Sequence, residues 1–328
     1  MKFKLIHKYT LVKGFVILFL AAMLLFPAAS FTGAKSGLLL WFHNVLPNLL
    51  PFIILSNLMV RLNITRQISK IFHPILGKLF KISCEGCYPI VIGFLSGIPM
   101  GAKSTADLVS ENKVSVKEGQ FLFSMCNNAS PMFIIGYISI TQLKVPNINY
   151  ALFCIIYGSA VISSILYRYL LLRSEKGANK GVLHITSLSS NVTLTPHKSL
   201  SFDLVDNSIM NGFEIVTKIG GYIILFSILS QIIKEIGSEA SLIKAVLMGI
   251  FEITTGINQI CNANMNINTK IVLVSVITSF GGLSGIAQTK SVLGDTRLSI
   301  TSYIIVKLIS AVLSLLLALL YVSLFPAV

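Results

Sequence analysis

The chain has 328 residues, of which 54% are hydrophobic and 12% are charged, and its mean hydropathy is +0.81. Soluble domains carry about 25% charged residues, so this composition excludes an ordinary soluble protein and indicates a membrane protein with several spans. The net charge of +14 comes from Lys and Arg residues in short loops between apolar runs. This distribution is typical of residues that set the orientation of membrane helices, and without a compact basic domain no nucleic-acid partner is expected.

The N-terminal region begins with four lysines in residues 1–13, followed by an apolar run at residues 14–29. This pattern resembles a signal peptide, but many apolar segments follow, so we expect an uncleaved first transmembrane helix within residues 1–36. The second apolar segment, residues 37–61, contains Pro47 and Pro51, which should bend or break a helix.

A basic segment and then a stretch with many helix-breaking residues follow. Residues 61–81 carry five Lys and Arg residues and are predicted to be cytoplasmic.

Residues 93–131 are apolar at both ends, but glycines, a proline and polar side chains interrupt them. In hydrocarbon, such interruptions are tolerated only where protein or a water-filled cavity satisfies the freed backbone groups. We interpret this stretch as the lining of a polar site, and the alternative is two short spans joined by a cytoplasmic loop. The interrupting residues are Gly97, Pro99, Gly101, Lys103, Asn127, Asn128 and Ser130.

A further predicted span at residues 150–172 precedes the only long polar segment, residues 173–207. This segment is basic and rich in Ser and Thr, which is typical of a cytoplasmic linker between two halves. The apolar segments of the second half are residues 209–233, 242–260, 270–292 and 299–325.

Glu252 lies within a membrane-length apolar run, where a carboxylate is a functional-site hypothesis by default. In a structural role it would be satisfied by local groups such as Thr255 or by backbone N–H groups at a helix break. In a functional role it would face a cavity and bind a cation, a proton or a substrate hydroxyl or amine. Lys103, Asn127 and Asn128 are then expected across that cavity. Lys307 is less informative, because it lies near a predicted helix end and can reach the interface.

The two halves align with each other through an ordered series of breaks, although apolar segments can also align by chance. Gly101 aligns with Gly256, and Asn128 aligns with Gly282. The Lys and Arg distribution gives the two halves opposite orientations. We therefore expect an all-α polytopic membrane protein with two inverted-topology repeats, about seven transmembrane helices and two re-entrant hairpins. The expected divisions are an N-terminal helix at 1–36, repeats at 37–172 and 208–328, and the linker at 173–207.

Several motifs carry a family resemblance, at residues 37–41, 45–52, 96–103, 127–131, 252–256 and 280–284, together with Gln288. They resemble the YlbJ-type sporulation integral membrane proteins, which belong with the nucleoside-recognition or Gate domain proteins. The resemblance covers the chain from about residue 37 to the end. It implies a role in spore cortex formation or resistance, in the mother-cell or forespore membrane of an endospore former. The Gate name implies distant kinship with concentrative nucleoside transporters.

Three classes of function are compared. The first is a transporter or channel for a small polar solute, nucleoside-like in view of the resemblance, with a coupling ion left open. The second is a non-transporting scaffold for spore envelope assembly. The third, an intramembrane enzyme, is not expected, because the sequence has neither H-E-x-x-H nor paired intramembrane aspartates. The expected substrate-binding residues are Glu252, Asn127, Asn128, Ser130, Lys103, Thr255, Ser284 and Gln288. The expected structural breaks are Gly97, Pro99, Gly101, Gly256, Gly281 and Gly282.

No cofactor or metal is expected. Cys84 and Cys87 form a lone C-x-x-C pair, whereas a structural zinc site needs four ligands. The expected partners are the lipid bilayer and the polar solute, and a homo-oligomer is left open.

Sidedness gives the first testable prediction. The linker 173–207 should be cytoplasmic and Val328 should lie outside, because the basic loops set the orientation. Single cysteines at Ser189 and beside Val328, in a cysteine-free background, should react with a membrane-impermeant reagent from opposite sides. Reaction of both from one side would exclude this topology.

Overall fold

The computed structural model describes residues 2–62, 64–178, 202–236 and 242–325, which form helices and turns and no strand. The helices of the first half are α1 (Lys2–Leu25), α2 (Pro27–Leu40), α3 (Leu46–Arg61), α4 (Thr65–Phe80), α5 (Cys87–Ser96), α6 (Met100–Ser110), α7 (Val116–Cys126) and α8 (Asn149–Ala178), with π-helical segments at Trp41–Val45 and Phe133–Leu143 and a 3-10 turn at Pro146–Ile148. Those of the second half are α9 (Phe202–Glu235), α10 (Leu242–Phe251), α11 (Ile253–Asn262), α12 (Ile267–Phe280), α13 (Gly282–Ser291) and α14 (Ile300–Leu324).

The chain bends sharply between α1 and α2, by 106°. Pro27 begins α2, a position where the missing N–H has no helical partner to lose. From α2 the helix continues through the π turn Trp41–Val45 into α3, so the prolines do not break it. Pro47 has no N–H to donate to the carbonyl four residues earlier, and the π turn Trp41–Val45 lies at this point of the helix. The predicted boundary between residues 36 and 37 falls inside α2.

Helix α2 packs closely along α9 because two glycines, four residues apart, face it. A Cβ atom on Gly33 would lie 2.7 Å from Ile228 Cα, and one on Gly37 would lie 2.9 Å from Ile224 Cα. Small residues at this spacing let two membrane helices approach at backbone distance. At the end of this contact, Trp41 donates a hydrogen bond from Nε1 to the Val216 carbonyl at 2.8 Å.

Two helical hairpins are the structural basis of the site. In the first, α5 and α6 pack side by side around a turn at residues 97–99. Added Cβ atoms on Gly93 and on Gly101 would both collide with the Cys126 carbonyl, so both arms rest on the end of α7. In the second, α10 and α11 pack side by side around Glu252, and a Cβ on Gly256 would collide with the backbone of Gly249.

Each hairpin is followed by an interrupted helix. Ser115 begins α7 by accepting a hydrogen bond from the Glu118 N–H, and α7 ends at Cys126 before the π helix continues from Phe133. Similarly, α12 ends at Phe280 and α13 follows directly. Gly281 and Gly282 connect them with φ angles of 85° and 69°, a left-handed conformation that disfavours every residue with a Cβ.

The hairpin turns and the helix interruptions meet. A Cβ on Gly97 would lie 2.6 Å from the Ser130 N, and one on Gly281 would lie 3.5 Å from the Ile98 side chain. A Cβ on Gly282 would lie 3.0 Å from Ile253. Residues 97–99, 127–130, 251–253 and 281–282 therefore form one contiguous region, which we call the crossing.

Four helices are long and apolar enough to cross a membrane, or five if the bent pair α1–α2 is counted as one span; this count covers the described residues only. The fold is thus all-helical with several candidate spans, whereas the expected number of about seven spans is not established. The predicted linker overlaps the ends of α8 and α9, and its residues 179–201 lie outside the described part of the chain, as does Val328.

Hairpin packing gives the second prediction. Gly256→Ala should lower the free energy of unfolding by about 1–3 kcal/mol, because the methyl group meets the backbone of Gly249. Gly221→Ala is the matched control, since no atom lies within 4 Å of the added Cβ there, and it should change stability by less than about 1 kcal/mol. Thermal unfolding of the purified proteins in detergent measures both. Equal effects would contradict the close packing of the hairpin arms.

Candidate functional site

Asn127 connects three elements at the end of α7. Its side chain is fully buried and donates hydrogen bonds from Nδ2 to Thr289 Oγ1 of α13 at 2.8 Å and to the Tyr303 hydroxyl of α14 at 2.9 Å. Its Oδ1 accepts from the Ala102 N–H of the first hairpin at 3.3 Å. An amide has two donors and an acceptor, and here all three are used. Asn127 therefore fixes the first hairpin against the interrupted helices.

Three tyrosines satisfy backbone carbonyls at or beside the interruptions. Tyr303 donates to the Asn127 carbonyl at 3.2 Å, and Tyr157 of α8 donates to the Ala129 carbonyl at 2.9 Å. Tyr137 of the π helix donates to the Thr254 carbonyl beside the second hairpin turn at 3.1 Å. A buried carbonyl without a partner costs about 1–3 kcal/mol, so these hydroxyls stabilise the irregular backbone.

Asn128 binds a buried lysine. Its Nδ2 donates to the Met125 carbonyl at 2.7 Å, while its Oδ1 accepts from Lys307 Nζ at 2.7 Å. Lys307 is 1% exposed, and its Nζ also lies 5.6 Å from the centroid of the Tyr303 ring. Among the described residues no carboxylate forms an ion pair with it. This polar group in the core therefore depends on one amide oxygen and an aromatic face.

The expectation that Lys307 extends to the interface is wrong. The side chain points into the protein, about two turns into α14, where Asn128 and Tyr303 surround its amine. Lys307 lies outside the set of site residues predicted from the sequence. The signal that identifies it is its position within an apolar segment, because ionisable residues inside membrane helices usually face functional interiors.

Glu252 caps the second arm of its own hairpin. The carboxylate accepts hydrogen bonds from the Thr254 hydroxyl, from the Thr255 N–H at 2.7 Å and from the Thr255 hydroxyl at 2.8 Å. An anion at the N-terminus of α11 also interacts favourably with the helix dipole. This matches the local arrangement considered for a structural role. Lys103, Asn127 and Asn128 are not among its hydrogen-bond partners.

The remaining predicted residues form local pairs. Lys103 forms an ion pair with Asp107, one turn away, at 2.5 Å. Ser284 accepts from Gln288 at 3.0 Å on α13, and Ser130 accepts from the Phe133 N–H at 3.2 Å. The structure thus joins Asn127 and Asn128 to α14, but it leaves Lys103 and Glu252 in separate local interactions.

A cavity of about 370 Å³ lies between α2, α9 and the second hairpin, and it is lined by the two threonines that follow Glu252 in the chain. Thr254 and Thr255, which hold the carboxylate, line one wall of it. A larger open cleft of about 730 Å³ at the ends of α3 and α9 contains none of the predicted site residues. Among the residues lining the smaller cavity are Tyr137, Ser227, Gln231, Lys234, Asn258 and Gln259.

In the described part of the chain, no group of three or more His, Cys, Asp or Glu side chains surrounds the C-x-x-C pair or any other point. Both thiols are free. Burial raises the pKa of the Cys84 thiol, and the adjacent Glu85 carboxylate adds to the shift. A raised pKa lowers the thiolate fraction and makes this cysteine less reactive.

Together, the fold and the site define a helical membrane protein of several spans, in which hairpins and interrupted helices enclose buried polar groups. The chain is 27% identical over 329 residues to the "Sporulation integral membrane protein YlbJ" of Bacillus subtilis (strain 168), across 92% of this chain and 80% of that protein. The resemblance to the YlbJ-type family that the motifs indicate is thereby confirmed. No family model and no solved structure matches the chain.

The buried pair gives the third prediction. Asn128→Leu removes the acceptor of Lys307 and should lower the free energy of unfolding by about 2–4 kcal/mol. Adding Lys307→Met should recover at least half of that loss, because two apolar groups of similar shape then replace two polar ones. Chemical or thermal unfolding in detergent checks the cycle. Additive losses would show that the two side chains are not coupled.

Proposed function

We propose that this protein is a transporter or channel for a small polar solute that acts during spore formation. The observation that carries the proposal is the crossing, where two hairpin turns meet two interrupted helices. Hairpins and discontinuous helices that converge are the usual site architecture of secondary transporters. A role in spore formation is supported by the name of the B. subtilis relative, a sporulation integral membrane protein.

The irregular backbone of the crossing costs free energy, and this cost favours a function that requires such a backbone. Each break frees backbone groups, and buried Asn127 satisfies the Ala102 N–H while three tyrosine hydroxyls satisfy carbonyls. A protein that only anchors others in a membrane is built more cheaply from uninterrupted helices. Irregular backbone at membrane depth is characteristic of proteins that bind ions or solutes there.

The cavity beside the second hairpin fits a small ligand. Its volume of about 370 Å³ lies within the range of about 300–1,000 Å³ for small-molecule sites. Gln231, Asn258 and Gln259 present amide donors and acceptors suited to hydroxyl, carbonyl or amine groups. We propose that a neutral polar solute, nucleoside-like in view of the family resemblance, enters here and that Glu252 responds to it through Thr254 and Thr255.

We further propose that the two halves are inverted-topology repeats with seven spans. Support comes from the matching order of elements, since each half contains a hairpin, an interrupted helix and a long helix. The spans would be α1, α2–α3, α7 with its π helix, α8, α9, α12–α13 and α14, with the hairpins α5–α6 and α10–α11 entering from opposite sides. The mother-cell or forespore membrane is the proposed location.

A scaffold for spore envelope assembly is the second candidate function. A transport assay distinguishes it from a transporter or channel. Vesicles that contain the purified protein should take up particular small polar metabolites from a cell extract, whereas empty vesicles should not. Mass spectrometry of the washed vesicles identifies them. Uptake that is identical with and without the protein, under several ion gradients, would contradict transport.

Glu252 gives the fourth prediction. Glu252→Gln keeps the shape and the acceptor of the cap while removing the charge, so the protein should reach the membrane at normal levels. In a strain lacking the wild-type protein, this variant should fail to restore heat-resistant spores.

Glu214→Gln is the matched control, since that carboxylate is 60% exposed and pairs only with Lys218 among the described residues. It should restore spores fully. Full restoration by Glu252→Gln would show that the charge is dispensable and that the assignment of Glu252 to the site is wrong.

A further inference from the structure

Helix α4 carries a surface that the transport proposal does not use. It follows α3 and has three different faces along its length. The inner face packs on the core through Ile68, Leu76 and Phe80, and Ser69 is fully buried beneath it. The helix is therefore fixed to the protein body by one side only, and its other two faces are open.

The position of α4 relative to the spans is fixed by an arginine. Arg168 of α8 donates from Nη1 to the Phe80 carbonyl at 2.6 Å and from Nη2 to the Lys81 carbonyl at 3.2 Å. In the sequence, the apolar run of α8 continues to Leu172, four residues beyond Arg168, and the basic residue Arg173 follows it. Arg168 thus holds the C-terminus of α4 close to the end of the apolar run of α8, and we infer that this end of α4 lies near the boundary between membrane and water.

One open face of α4 is apolar. Ile71, Ile75 and Leu79, each four residues apart, are 72%, 69% and 68% exposed. This spacing aligns them in a single stripe along the helix. Next to them Phe72 is 38% exposed. In water the stripe would be unfavourable, whereas acyl chains at the membrane boundary would cover it.

The other open face is basic. Arg66, Lys70 and Lys78 are exposed, and α4 contains no acidic residue. The nearest described carboxylate is Glu85, 4.0 Å from Arg66 Nε, and it is 30% exposed. Arg61 and Lys81 extend the positive charge at the two ends of the helix. A positive strip beside an apolar stripe is complementary to anionic phospholipids, whose phosphates lie just above their acyl chains.

We propose that α4 is a binding surface for anionic phospholipid headgroups, with Lys70 and Lys78 on the phosphates and the Ile71–Ile75–Leu79 stripe in the acyl region. This inference is independent of whether the protein transports a solute. A protein partner on the same surface is the competing explanation, and the lipid is favoured because the helix lies at the membrane boundary.

The first test uses the full-length protein, delipidated in detergent and titrated with phosphatidylglycerol or phosphatidylcholine. Native mass spectrometry counts the bound lipids. The wild-type protein should prefer phosphatidylglycerol, and the Lys70→Gln/Lys78→Gln variant should bind it roughly tenfold more weakly. The control Lys144→Gln/Lys290→Gln removes two exposed lysines elsewhere and should keep the preference. No preference in the wild type, or an equal loss in the control, would overturn the proposal.

The second test locates the apolar stripe. The chain has one tryptophan, so Ile75→Trp adds a single new fluorophore. In vesicles, lipids brominated near the top of the acyl chain should quench it more than lipids brominated at the chain end, relative to the wild-type signal. An Ile75→Trp signal that neither lipid quenches would show that the stripe does not contact lipid, and the proposal would fail.

Discussion

The structure depends on one constraint, that backbone groups freed inside a membrane must find partners in the protein. Water is not available there to replace a lost helical hydrogen bond. The two hairpin turns and the two interruptions are placed so that side chains of neighbouring helices supply those partners. Asn127 and Tyr303 exchange hydrogen bonds in both directions, which makes α7 and α14 a single unit at this point. The interruptions are therefore stabilised both by side chains of neighbouring helices and by the hairpins that pack against them.

The two buried ionisable residues of this region follow opposite principles. The hydrogen-bond partners of Glu252 are within three residues of it, so the second hairpin satisfies its carboxylate alone. The partner of Lys307 is Asn128, 179 residues earlier in the chain. A locally satisfied charge can move with its hairpin, whereas the Lys307 amine connects two elements and resists their separation.

Glycines at the helix contacts allow the hairpins and the long helices to pack closely. Gly93 and Gly101 let the first hairpin rest on the end of α7, and Gly249 and Gly256 let the two arms of the second hairpin meet. Gly33 and Gly37 allow the same close approach between α2 and α9. In a bilayer, helices gain little from hiding apolar surface, so close backbone approach and dispersion contacts stabilise the assembly. Helix α4 follows a different principle, because it keeps one face on the core and leaves two open.

Composition, charge and the positions of glycine, proline and asparagine were sufficient to predict a helical membrane protein with hairpins and interrupted helices, because hydrocarbon penalises polar and helix-breaking residues wherever they occur. The ordered motifs were sufficient to indicate the resemblance to the YlbJ-type proteins. The local cap at Glu252 was also within reach, since Thr255 is three residues away. Only the tertiary structure decided the partners of Asn127 and Asn128, the burial of Lys307 and the three faces of α4. These features depend on which distant helices meet. The local sequence around a lysine near a helix end is the same whether a neighbouring helix buries the amine or water surrounds it.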